Sequence, residues 1–149
     1  DYSHTPDSLE TILKDKKSKE GKLILIIGCG GNRDKLKRPL IGKIASDYAD
    51  FIYITDDNPR FENPKNIRTE IISGINRKVS FDEISNREQA IEEALSIAKP
   101  SDIIIIAGKG HEKFQSIKGV DIPFDDVAVT NQILLKLGKS LWKHHYGKL

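Results

Sequence analysis

Three short aliphatic runs, each closed by a glycine-rich or turn-rich stretch, restrict this chain to a small set of folds. They are Leu23-Ile24-Leu25-Ile26-Ile27, Phe51-Ile52-Tyr53-Ile54-Thr55 and Ile103-Ile104-Ile105-Ile106. The first and last are unbroken apolar runs with no polar face to turn to water, so they read as buried strands, the first on both faces; the middle one reads as a second strand closed by Asp56-Asp57-Asn58-Pro59. Helical stretches separate the runs. One spans about Pro39 to Tyr48, one Lys65 to Gly74, and one starts at a Ser85–Glu88 capping box and runs to about Ala98. Val79 and Phe81 mark a further short strand, and Phe114 to Phe124 a hairpin turning at Lys118-Gly119. A first helix begins at Thr5-Pro6-Asp7, with an apolar face of Leu9, Ile12 and Leu13. A last one covers about Asp126 to Leu141, followed by a loose basic tail. Strand and helix alternate, which predicts an α/β, Rossmann-like, mostly parallel sheet with helices on both faces and a C-terminal antiparallel hairpin.

A chain of 149 residues suffices for one such domain. The net charge of +2 implies no general field for nucleic acid or a membrane surface. The single cysteine, Cys29, excludes a disulfide framework and fits a reducing, cytoplasmic setting. Leu23–Ile27 is far too short to span a bilayer, and the first residues form no signal peptide. The chain begins at Asp1 and contains no methionine, which reads as a cut or processed piece.

In a parallel α/β sheet, ligands bind beyond the carboxyl ends of the strands. Three polar clusters follow the three runs: Gly28 to Arg33, Asp56 to Arg60, and Gly108 to Glu112. Gly28-x-Gly30 with acidic residues after the next strand matches part of a dinucleotide fingerprint, so a free-standing Rossmann-type dinucleotide domain is one reading. The third glycine is missing, however. Arg33 stands there, and its bulk would crowd the helix–sheet contact that a glycine permits. Each cluster alone also reads as a plain turn. His111 has no second histidine at ligand spacing, so no metal is expected. His144 and His145 sit in the basic tail, and Cys29 reads as a small packing residue. Together the clusters say more. Arg33 and Arg60 can each grip a carboxylate bidentately, and Asp57 and Glu112 can each accept an ammonium. That set suits an amino acid with more than one charged end.

The sequence resembles the Mur ligases, of the MurE type, over nearly the whole chain up to about Leu137. The resemblance rests on Asp1-Tyr2-Ser3-His4-Thr5-Pro6-Asp7-Ser8-Leu9-Glu10, Gly28-Cys29-Gly30-Gly31-Asn32-Arg33-Asp34-Lys35, Lys37-Arg38-Pro39-Leu40, Asp56-Asp57-Asn58-Pro59-Arg60 and Ala107-Gly108-Lys109-Gly110-His111-Glu112. Ser3 stands where alanine is commoner and Asn32 where aspartate is commoner; neither touches the charged set.

The resemblance implies the last of three domains in an ATP-dependent ligase that adds meso-diaminopimelate to the UDP-N-acetylmuramoyl dipeptide in peptidoglycan synthesis. In that division residues 1–20 are an interdomain hinge with the first helix, and 21–149 the amino-acid-binding domain. It implies that Arg33 holds the carboxylate near the attacking amine. Asp57, Asn58 and Arg60 read the far end of diaminopimelate, with Arg60 on the far carboxylate. The Gly108 carbonyl and Glu112 take the far ammonium. Asp1 resembles a residue that meets the ATP ribose, and His4 lies beside it. ATP and Mg2+ belong mainly to the absent central domain, and the expected state is a cytoplasmic monomer. This stretch by itself is expected to contain no catalytic residue and to be inactive alone.

Overall fold

The structure is a computed structural model, and it describes residues 5–17, 20–76 and 78–139. Eleven elements follow in order: α1 (Pro6–Lys16), β1 (Leu23–Ile27), α2 (Lys37–Tyr48), β2 (Phe51–Ile54), α3 (Pro64–Ile72), β3 (Ser80–Glu83), α4 (Arg87–Ile97), β4 (Ile103–Ile106), β5 (Phe114–Ile117), β6 (Val120–Pro123) and α5 (Asp126–Lys136). Four strands form one parallel sheet in the order β3-β2-β1-β4, and β5 and β6 form a separate antiparallel pair.

The period of two in β1 builds both halves of the core. Leu23, Leu25 and Ile27 face α1, α2 and α3, where Leu9, Leu13, Ile41, Ala45, Ile67 and Ile71 close over them. Ile24 and Ile26 face the other way, toward Ala90, Ile91, Ala94 and Leu95 of α4 and Ile133 and Leu134 of α5. All five β1 side chains are at most 2% exposed, and burying an aliphatic side chain of this size contributes about 1.5–3 kcal/mol each. The central strand is therefore the main organiser of the domain. Leu9 and Leu13 of α1 are fully enclosed in the same core.

Chain order explains where a site can form. From β1 the chain moves outward through α2 to β2 and through α3 to β3, then returns through α4 to place β4 on the other side of β1. The direction of winding reverses between β1 and β4. In parallel sheets the carboxyl ends at such a reversal are where ligand sites form.

Several local expectations are corrected. β4 is not buried on both faces: its four isoleucines are only half-buried, because it forms the edge of the sheet among the described residues. The α4 cap is Asn86, whose side chain accepts from the Gln89 backbone N–H. Ser85 instead turns its carbonyl to Asp56 and Thr55. Helix α2 starts two residues earlier than Pro39, because the Asp34 carboxylate accepts from the Leu36 backbone and starts the turn. Helix α5 ends at Lys136, and Gly138 follows at φ 66°, the left-handed conformation that stops helices. The Thr5 cap and the Lys118-Gly119 turn, both residues at positive φ, stand as read from the sequence. No helix among the described residues is long and apolar enough to cross a membrane. Asp1, His4, His144, His145 and the tail lie outside the described residues.

Candidate functional site

The three polar clusters meet at the carboxyl ends of β1, β2 and β4, and glycines let them approach. A Cβ on Gly28 would stand 2.6 Å from the Thr55 carbonyl oxygen, and one on Gly31 only 1.9 Å from that of Pro59. The Gly31 N–H donates to the Asn58 carbonyl at 2.8 Å. Gly108 has φ 105° and would drive a Cβ to 2.6 Å from the Gly28 carbonyl and 3.3 Å from Asp57 Oδ2. The loop after β1 is thus wedged between the loops after β2 and β4, with backbone against backbone.

This wedge sets the charged groups. Arg60 adopts φ 52°, a region that costs a non-glycine residue free energy unless its surroundings enforce it. Here they do. The Arg60 N–H donates to Ser116 O at 2.9 Å, and its carbonyl accepts from the Lys118 N–H at 2.6 Å. The hairpin therefore pins the Arg60 backbone, and the side chain swings back so that Nη1 donates to the Gly31 carbonyl at 2.8 Å. A Cβ on Gly30 would meet Arg60 Nη1 at 2.8 Å and Arg33 Cγ at 3.5 Å. Both arginines thus flank Gly30, with Arg33 exposed and Arg60 half-buried. Asp57 and Asn58 are buried below them. Glu112 is half-buried and accepts a hydrogen bond from Asn58 Nδ2. Of the residues singled out in the sequence, Arg33, Asp57, Asn58, Arg60, Gly108 and Glu112 share this rim. Its glycine loop is no open phosphate cradle: the Gly31 N–H, the Gly31 carbonyl and the Gly30 carbonyl are all engaged within the chain.

Sequence reasoning missed four buried cations around the site. Arg38 is 1% exposed and donates to Glu62, to Glu70 and, at 3.1 Å, to the Gly30 carbonyl. Arg68 pairs with Asp56 and Glu83, and Arg87 with Asp126. Lys109 is fully enclosed. The one available signal was proximity to a motif. Arg38 sits in Lys37-Arg38-Pro39-Leu40 and Lys109 between two glycines of Gly108-Lys109-Gly110.

The Arg38–Glu62 pair carries a pH signature. The Arg38 guanidinium, joined by the Asn32 backbone N–H against the cost of burial, holds the Glu62 carboxyl down at about 2, below its ordinary 4.5. A carboxyl depressed by folding stabilises the native state fully above its unfolded value, and that contribution is lost as pH falls toward the folded value. Thermal denaturation of the wild-type chain should show the midpoint dropping between about pH 4.5 and 2, with a shallower drop in Glu62→Gln. Parallel curves would show that the pair is immaterial.

Cys29 lies on the same loop, half-buried against the core. Burial, reinforced by the Asp57 charge, pushes its thiol up to about 12. A thiol so displaced holds almost no thiolate near neutrality and is inert. Native protein should resist iodoacetamide at about pH 8 while urea-unfolded protein reacts at the rate of a free cysteine. Rapid native alkylation would contradict the burial.

A parallel sheet with its charged rim at the switch point defines a doubly wound α/β domain. The sequence profile of the Mur ligase glutamate ligase domain matches residues 1–110, and the chain belongs to that family. Among its relatives, the UDP-N-acetylmuramoyl-L-alanyl-D-glutamate--2,6-diaminopimelate ligase of Rickettsia felis is 52% identical, over 94% of this chain and 27% of the relative. The proteins of the same name from Clostridioides difficile and Aquifex aeolicus are 50% and 48% identical, over 92% and 90% of this chain and 29% and 28% of theirs. A solved structure titled as a UDP-N-acetylmuramoyl-L-alanyl-D-glutamate--2,6-diaminopimelate ligase superposes with a TM-score of 0.86 at 41% identity. It covers 93% of this chain and 29% of that one. The chain thus spans under a third of the length of the relatives it matches, and the free-standing dinucleotide reading is set aside.

Proposed function

We propose that this chain is the amino-acid-presenting domain of an ATP-dependent ligase that joins meso-diaminopimelate to UDP-N-acetylmuramoyl-L-alanyl-D-glutamate. The observation that supports it most is the rim itself. Two arginines flank Gly30, and Glu112 stands across a loop junction from them. Such a rim offers cations for two carboxylates and an anion for an ammonium, matching an amino acid charged at both ends. In this reading Arg33 takes the carboxylate beside the reacting amine and leaves that amine facing outward. Arg60 takes the far carboxylate, while the Gly108 carbonyl and Glu112 take the far ammonium. Asp57 and Asn58 hold the far-end subsite in shape. Fixing both ends restrains the amine and converts a bimolecular encounter into an oriented one.

ATP with Mg2+, held by the remainder of the ligase, supplies the phosphoryl group that activates the dipeptide carboxylate. In this reading Asp1 and His4 belong to the nucleotide site, and residues 1–20 serve as hinge and first helix before the domain proper. The relatives' names, ligases of a UDP-N-acetylmuramoyl precursor, support an enzyme of cell-wall synthesis; a cytoplasmic monomer acting on neither nucleic acid nor membrane completes the reading.

The test compares this chain alone with the full-length ligase containing it. The full-length enzyme should release ADP and form amide only when dipeptide precursor and diaminopimelate are both present. The chain alone should release no ADP above a no-protein blank. Full-length enzyme that ignores diaminopimelate would overturn the substrate, and ADP release by the isolated chain would overturn the division of labour.

A further inference from the structure

Lys109 is the one lysine fully enclosed among the described residues. Glycines on either side direct it inward: Gly108 at φ 105° and Gly110 at φ 58° reverse the backbone around it. Its Nζ donates to the Phe114 carbonyl at the start of β5 and stands 3.5 Å from Asn58 Oδ1. The Phe114 and Phe124 rings lie 5.9 Å from the ammonium on the hairpin side. Burying an ammonium costs free energy unless its donors are used, and all the partners named here belong to the hairpin or the Asn58 loop.

The consequence reaches Glu112. An asparagine amide can sit in two orientations related by a flip. Here Oδ1 faces two donors, Lys109 Nζ and the Ser116 N–H at 2.9 Å. The flipped amide would press its NH2 against both. Only one orientation survives, and it points Nδ2 at Glu112 Oε2. Glu112 is itself tied back to the lysine, since its N–H donates to the Lys109 carbonyl at 3.2 Å.

We infer that Lys109 is a positioning residue: it locks the Asn58 amide in one orientation and docks the β5–β6 hairpin, so that Glu112 is held facing the rim. This rests on the proposed role of Glu112 in taking the far ammonium. Burial, joined by the Arg87 charge, lowers the readiness of Lys109 to hold its proton, and Asp57, Asp126 and Glu112 offset this only in part; the lock rests on the contacts with Phe114 and Asn58.

The test has two arms. In the first, the 15N–1H signals of the Asn58 side chain in this chain are assigned by their loss in Asn58→Asp. In wild type they should exchange slowly with solvent. Lys109→Met, which preserves length and apolar bulk, should speed their exchange by at least about tenfold, although Lys109 does not touch Nδ2. An unchanged Asn58 amide in a folded Lys109→Met chain overturns the inference. Should that variant not fold, wild type decides it. Cross-peaks from the Lys109 side chain to both phenylalanine rings, with slow ammonium exchange, support the lock, and exchange as fast as a surface lysine overturns it. In the second arm, full-length Lys109→Met ligase should show a KM for diaminopimelate raised about tenfold with kcat within about twofold. An unchanged KM would overturn the link to Glu112. A wild-type ligase that does not use diaminopimelate would instead overturn the proposed function, and the amide exchange would still decide the role of Lys109.

Discussion

Under the proposed function, replacing Arg60 with alanine in the full-length ligase is expected to shrink the preference for diaminopimelate over lysine by about a hundredfold. The two amino acids share an amine, a nearby carboxylate, a methylene chain and a far ammonium, and differ by one far carboxylate. A site that prefers diaminopimelate needs a cation aimed at that group, and a guanidinium offers two parallel donors that match it. Were Arg60 fully buried, lysine would strand its charge at a cost of about 3–5 kcal/mol, on the order of a thousandfold. The structure moderates this figure. Arg60 is half-buried, and Nη1 already has the Gly31 carbonyl as acceptor, so the unmatched charge keeps part of its hydrogen bonding. A charge-assisted interaction of about 2.7 kcal/mol is the better expectation. The fold should survive, because the backbone bonds to Ser116 and Lys118 need no side chain at position 60. Arg60→Lys should restore only part of the preference, for an ammonium cannot form the fork. Glu112→Gln should weaken both amino acids, since both carry the far ammonium. Steady-state kinetics with diaminopimelate and lysine on the four proteins decides it. A wild type that prefers lysine, or an unchanged ratio in Arg60→Ala, would show that specificity resides elsewhere.

Arg87→Met should lower the thermal midpoint of the chain by roughly 10–15 °C. Arg87 opens α4 and is 2% exposed. Its Nε and Nη2 grip the two carboxylate oxygens of Asp126 at 2.8 Å each, and Nη2 also donates to the Ala107 carbonyl at 3.0 Å. One side chain thus joins α4, the start of α5 and the exit of β4, immediately before Gly108. Methionine fills similar space but leaves Asp126 as a buried carboxylate without its countercharge, a loss of about 3–5 kcal/mol. Against a typical domain stability of about 5–15 kcal/mol, this is a large share. The double variant Arg87→Met with Asp126→Leu should recover much of the loss, because no charge is then stranded. Recovery stops short of wild type, since Asp126 also lies in the first turn of α5, where an acidic side chain contributes about 0.3–1 kcal/mol. A single variant within about 1 kcal/mol of wild type would mean that water already reaches Asp126.

What could be read from the sequence, and what could not, divides along the distance between interacting residues. The β1 run, the Thr5 cap and the Lys118-Gly119 turn are local patterns, and each stands in the structure at its expected place. The rim residues were legible for a different reason. They follow strands whose parallel alternation was itself legible, and the rule for parallel sheets sends everything after such strands to one edge. The α4 cap was misassigned by one residue because Ser85 and Asn86 are both able cap formers. The choice fell to Asp56 and Thr55, which occupy the Ser85 carbonyl from another loop.

By itself the sequence determined the strand and helix order, the two faces of β1 and the motifs that carry the family resemblance. It did so because backbone propensity and side-chain periodicity are properties of neighbouring residues. Tertiary structure alone decided that β4 lies at an edge, that Arg38, Arg87 and Lys109 are enclosed rather than solvated, and that Asn58 is a joint between Lys109 and Glu112. Arg87 meets Asp126 across 39 residues and Lys109 meets Asn58 across 51. A charged side chain on a helix or loop carries no local mark of such a partner. Its default is water, and only a folded neighbour that supplies the opposite charge and the missing hydrogen bonds makes burial the lower free energy.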